Sequence, residues 1–172
     1  SNFNWYFIFE SYHSFFFFLR RGLRGTITAS ISESHMPVKL ICASHSPLME
    51  FASPQDQSQE QKVRDAFTRL SAEVKDYEPT LIITFGPDHF NGFFYDLMPS
   101  FCVGIRATAA GDWDYGKENN KIDVPEQKAL DLVRRVLDEG VDVAYSYRMQ
   151  ADHGVTQPLH FLCNGKLDRY PT

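Results

Sequence analysis

At 172 residues the chain has room for one domain with its own core, and 43% apolar against 23% charged residues excludes a disordered polypeptide. A formal charge of −5, with no cluster of Lys and Arg, argues against a nucleic-acid partner, because phosphate binding needs concentrated positive charge. Cys42, Cys102 and Cys163 are widely spaced and odd in number, which points away from a disulfide framework or a thiolate zinc site and toward a reducing, cytoplasmic setting. Cys42 and Cys102 lie in apolar runs, where free cysteine behaves as a small hydrophobe.

Residues 1–35 differ in kind from the rest of the chain. Phe3, Trp5, Tyr6, Phe7, Phe9, Tyr12 and the run Phe15-Phe16-Phe17-Phe18 crowd the start, and Arg20, Arg21 and Arg24 precede a Ser/Thr-rich run. In a secretory signal the positive charge comes before the apolar core, whereas here it comes after. Glu10 and His13 also interrupt the stretch, which is too short and broken to span a bilayer. Three readings remain: a translated extension ahead of a natural start at Met36, a membrane-interface leader, or an intrinsic first element. The first is favoured, because the regular pattern begins only after Met36, and residues 1–35 carry a net charge of +1 against −6 for the remainder.

From Met36 onward, residues 38–43 read as a first strand, and Pro47 and Pro54 keep the loop after it from becoming helix. Val63, Phe67, Leu70, Val74 and Tyr77 recur at intervals of four and three, which predicts a helix over residues 58–77 with one apolar face. Residues 81–85 form a second apolar strand and 101–105 a third, and residues 111–116 read as loop. A second helix is expected from Pro125, with Leu130, Val133 and Leu137 buried and Gly140 as its stop. Residues 141–147 read as a fourth strand, and a short helix is expected over 158–162. That order predicts an α/β fold, a sheet flanked by helices on its faces, which the chain leaves without a closing element after Thr172.

Three histidines follow strands: His45 in Ser44-His45-Ser46-Pro47, His89 in Pro87-Asp88-His89-Phe90, and His153 in Asp152-His153-Gly154. In open α/β sheets the carboxyl edge is where ligands bind, so three such histidines converge on one edge if their strands share a sheet. Neutral imidazole suits Fe(II) and Zn(II), and His45 and His89 are the candidate pair of ligands. His13, His35 and His160 lack that context and read as structural or surface residues. Adjacent side chains on extended backbone point apart, so neither Asp88 nor Asp152 is expected to buttress its own neighbour, and either could support a different histidine.

The segments Ser44-His45-Ser46-Pro47-Leu48, Pro87-Asp88-His89-Phe90-Asn91-Gly92-Phe93-Phe94-Tyr95-Asp96 with Met98-Pro99-Ser100-Phe101-Cys102, and Met149-Gln150-Ala151-Asp152-His153-Gly154 with Gln157-Pro158-Leu159 resemble the class III extradiol ring-cleavage dioxygenases, in matching order and similar spacing. The resemblance runs from Met36 to the end, so residues 36–172 read as the N-terminal part of such a domain and residues 1–35 match nothing in it.

The resemblance implies Fe(II)-dependent extradiol cleavage of a catechol, such as 3-(2,3-dihydroxyphenyl)propionate, by dioxygen in aromatic catabolism. His45 and His89 fall on the iron ligands, and His153 on the active-site acid/base histidine. Asn91, Phe93 and Tyr95 become candidate substrate-binding residues, although Phe90, Phe93, Phe94 and Tyr95 read equally as pocket wall or as core. The family's third iron ligand, a glutamate, and a second catalytic histidine lie in its C-terminal part, so this chain reads as an incomplete, inactive fragment. Full-length enzymes of this type are expected to be homo-oligomers, with no membrane or nucleic-acid partner. Two rivals remain: a non-catalytic binding protein on the same scaffold, and a zinc hydrolase using His45 and His89, which no Cys₂His₂ or His-Glu-x-x-His spacing supports.

Overall fold

The computed structural model describes residues 13–19, 38–45, 57–110 and 120–172. The loop with Pro47 and Pro54, residues 111–116 and His35 lie outside the described residues. The described elements are β1 (His13–Leu19), β2 (Val38–Ser44), α1 (Gln57–Tyr77), β3 (Leu81–Phe85), β4 (Cys102–Gly104), β5 (Ala107–Ala109), β6 (Lys121–Ile122), α2 (Glu126–Asp138), β7 (Ala144–Ser146), β8 (Met149–Ala151) and α3 (His153–Leu162). The content is α/β, as expected, but the described strands form three small sheets in the orders β2-β1-β3, β4-β7 and β6-β5-β8.

The first sheet departs from the sequence reading. Strand β1 comes from the aromatic-rich first thirty-five residues and pairs antiparallel with both β2 and β3, with His13 opposite Ser44 and Leu19 opposite Leu81. A Ser-Phe-Phe-Phe-Phe run has high β-propensity, and between two parallel strands it finds a backbone partner on each edge. Along β2, the period of two puts Ile41 and Ala43 into the core and turns Cys42 outward, so Cys42 is exposed where its apolar run suggested burial.

The expected strands 101–105 and 141–147 are each shorter than their apolar runs, because both kink. Parallel pairing passes from β4 and β7 to β5 and β8. At the kink, the Ile105 N–H donates to Ser146 O at 2.7 Å and the Met149 N–H to Arg106 O at 3.0 Å. As a result β8, not β7, leads into Asp152 and His153.

Helix α1 matches its predicted span and buries Phe67 and Val74, with Leu70 and Tyr77 against the same core, while Val63 near its start is exposed. Helix α2 buries Ala129 and Val133 against Ile105 and Val143. Leu137, expected on that face, is exposed because the last turn runs past this small cluster. Gly140 follows at φ +80°, the left-handed position that ends a helix without a Cβ clash. The short helix expected over 158–162 starts a turn and a half earlier, and α3 buries Leu159 and Leu162 against Ile41, Phe67 and Ile82. Burial of these side chains contributes about 1.5–3 kcal/mol each and anchors the first sheet to α3.

Candidate metal centre

Three backbone devices bring the histidines together although their strands do not share one sheet. His45 continues the alternation of Ile41 and Ala43, so its side chain turns inward and is only 2% exposed. His89 lies on the loop after β3. His153 is the first residue of α3, with Asp152 as N-cap: the Asp152 Oδ1 accepts the Gly154 N–H at 2.7 Å.

Two glycines set how closely that loop approaches α3. A Cβ on Gly86 would stand 2.5 Å from Val155 Cγ2, and one on Gly154 would stand 3.1 Å from Pro87. The sequence reading missed Gly86; its position between an apolar strand and a proline was the available sign of close backbone approach.

The result is a compact group of imidazoles. His45 Nε2 and His89 Nε2 are 3.3 Å apart. His89 and His153 stack with ring centroids 4.5 Å apart, and one ligand-type nitrogen from each of the three histidines lies within 4.8 Å of the others.

His89 Nδ1 donates to Asp152 Oδ1 at 2.7 Å. A carboxylate only accepts, so this bond places a proton on Nδ1, and in the neutral ring the Nε2 lone pair then faces His45. Two nitrogens held at about 2.1 Å from one ion at right angles stand roughly 3.0 Å apart. The spacing of the Nε2 pair is therefore compatible with one shared metal ion, which His45 and His89 could hold.

Asp152 supports His89, which lies elsewhere in the chain, as expected. Its Oδ1 also lies 3.1 Å from His153 Nδ1, because the two residues span the start of a helix and not an extended strand. Burial pushes the Asp152 carboxyl up, but the hydrogen bonds from the Gly154 N–H, His89 and Asn91 outweigh it and leave its pKa below the usual carboxylate value. Burial lowers the His153 pKa against the opposing pull of Asp152, which favours a neutral imidazole there.

Asp88 shapes the loop itself: its Oδ1 accepts the Gly92 N–H at 2.9 Å and its Oδ2 the Phe93 N–H at 3.1 Å. Asn91 Nδ2 donates to Asp152 Oδ2, so the side chain expected at the substrate is tied to the acid behind His89. Phe93 is half-buried, and Tyr95 is 89% exposed, with Phe90 5.3 Å away between ring centroids. Phe90, Phe94 and Tyr95 are thus surface residues and not core. His160 lies in the last turn of α3, outside the cluster, and its ring meets Phe161 at 5.6 Å between centroids.

Fold and site together define an α/β protein with a candidate metal centre where His45, His89 and His153 converge. Residues 39–172 match the model of a family described as the catalytic LigB subunit of aromatic ring-opening dioxygenase, and the chain belongs to that family. It is 59% identical over 137 residues, 80% of this chain and 42% of the relative, to a 2,3-dihydroxyphenylpropionate/2,3-dihydroxicinnamic acid 1,2-dioxygenase of Photorhabdus laumondii. Proteins of the same name from Rhodococcus rhodochrous and Paraburkholderia xenovorans are each 48% identical over 136 residues, 79% of this chain and 42% of the relative. The chain thus spans about two fifths of the length of these relatives. Among the described residues no helix is long and apolar enough to cross a membrane.

Proposed function

We propose that residues 36–172 form the N-terminal part of an Fe(II)-dependent extradiol dioxygenase domain acting on a catechol such as 3-(2,3-dihydroxyphenyl)propionate, in aromatic catabolism. The observation that carries this reading is the His45–His89 Nε2 pair at 3.3 Å, with His89 anchored to Asp152. When bound there, iron would lower the pKa of a catechol hydroxyl and bring dioxygen and ring into one reaction.

The chain's own residues supply the rest. His45, buried on the face of Ile41 and Ala43, and His89, held by Asp152, would fix the ion. His153 is the acid/base group: its ring stacks on His89, and its lowered pKa makes it neutral near pH 7, ready to take a catechol proton and return it to the leaving oxygen. Phe93 and Tyr95, on the loop that carries His89, would form part of the substrate wall. Asn91 would border it with its amide nitrogen held by Asp152.

The family's remaining ligand and second histidine are assigned to its C-terminal part. The full-length protein is expected to be a cytoplasmic homo-oligomer. Family membership favours this reading over the zinc-hydrolase and non-catalytic alternatives.

A chimera tests the proposal. Residues 39–172 replace the matching segment of the Photorhabdus laumondii relative, and ring cleavage is followed with iron and dioxygen supplied. We expect an active chimera in which His153→Ala retains iron but loses about 10²–10⁴-fold in turnover. Undiminished turnover in that variant would refute the acid/base role, and an iron-loaded but inert parent chimera would refute the function.

A further inference from the structure

His45 and His89 are held in different ways. His45 is buried to 2%, whereas the His89 side chain keeps 34% of its surface in solvent. Packing alone does not fix such a ring, so the bond from Nδ1 to Asp152 Oδ1 sets its direction. That oxygen is crowded: it also accepts from the Gly154 N–H at 2.7 Å and lies 3.1 Å from His153 Nδ1. The carboxylate plane is then determined by what holds the other oxygen, and that is Asn91 Nδ2.

His89 and Asn91 are two residues apart on one loop, where extended backbone would separate their side chains by roughly 6.5 Å. They meet on a single carboxylate because Phe90, between them, adopts φ +59° and folds the loop back. A bulky residue in the left-handed region is strained and persists only where its surroundings hold it. Here Asp88 holds the turn from one side, through Gly92 and Phe93, and Asn91 closes it from the other.

We propose that Asn91 is a positioning residue. Through Asp152 Oδ2 it fixes the tautomer and ring orientation of His89, and with them the direction of the Nε2 lone pair toward the metal position. The importance of that lone pair rests on the reading of His89 as a metal ligand.

The test uses the full chain without metal, ¹⁵N-labelled, at about pH 8, where imidazole is neutral. In the wild type His89 shows one tautomer, protonated at Nδ1 and bare at Nε2. Asn91→Leu, of similar size but without a donor, converts it to a tautomer mixture, and Co(II) affinity falls about tenfold or more. Asn91→Ser, smaller and too short to reach, gives the same result, and Phe90→Gly retains the wild-type tautomer and affinity. Wild-type tautomer and affinity in both Asn91 variants would overturn the proposal, as would a lower melting temperature in them without a change of tautomer. No Co(II) binding by the wild-type chain, together with the tautomer change in both Asn91 variants, would overturn the metal reading while establishing the clamp.

Discussion

At the scale of single residues, Asp152 joins the fold to the site: it caps α3, holds His89 and receives Asn91. His160 isolates a simpler effect on the same helix. Burial lowers its pKa below the ordinary 6.5, so the unfolded chain binds a proton there more readily than the folded one. Its contribution to stability is complete above about pH 6.5 and is lost as pH falls from there through its lowered folded value. Thermal melts at pH 7.5 and 5.5 check this, and we expect His160→Leu to lose less melting temperature on acidification than the wild type.

The site is legible in the sequence to the extent that local rules set it. His45, His89 and His153 follow strands, and extended backbone at Asp152 points to a distant histidine as its partner. The bond from Asn91 to Asp152 is not legible, because the positive φ of Phe90, which turns Asn91 toward that acid, leaves no trace in residue type. Exposure of Phe94 and Tyr95 depends on what surrounds the loop, which pattern alone does not specify.

At the scale of elements, α3 carries both the core contact and the site. Leu159 is fully buried between α1 and the first sheet, so Leu159→Ala is expected to cost about 2–5 kcal/mol by denaturant unfolding. Helix α1 is readable from sequence because its apolar spacing is regular over most of its length. The kinks after β4 and β7 are not, because an apolar run does not show where its backbone changes sheet.

Strand β1 is the sharpest difference between sequence pattern and structure. It comes from residues before the family match at 39, yet it fills the space between β2 and β3. Removing residues 1–35 would strip both neighbours of a backbone partner, and we expect a lower melting temperature and poor solubility in the shortened chain. An unchanged melt would place the extension outside the folding unit, where the sequence pattern put it.

At the scale of the whole molecule, the α/β class and the family follow from elements and motifs that agree with one another, while the chain corresponds to about two fifths of its named relatives. The proposed chemistry depends most on the facing imidazoles. Anaerobic titration of the wild-type chain with Fe(II), with Co(II) as a spectroscopic substitute, measures that directly. We expect a single ion per chain, lost in His45→Ala and in His89→Ala and retained in His153→Ala. Stoichiometric metal in both of the first two variants would contradict the assignment of His45 and His89 as the ligands.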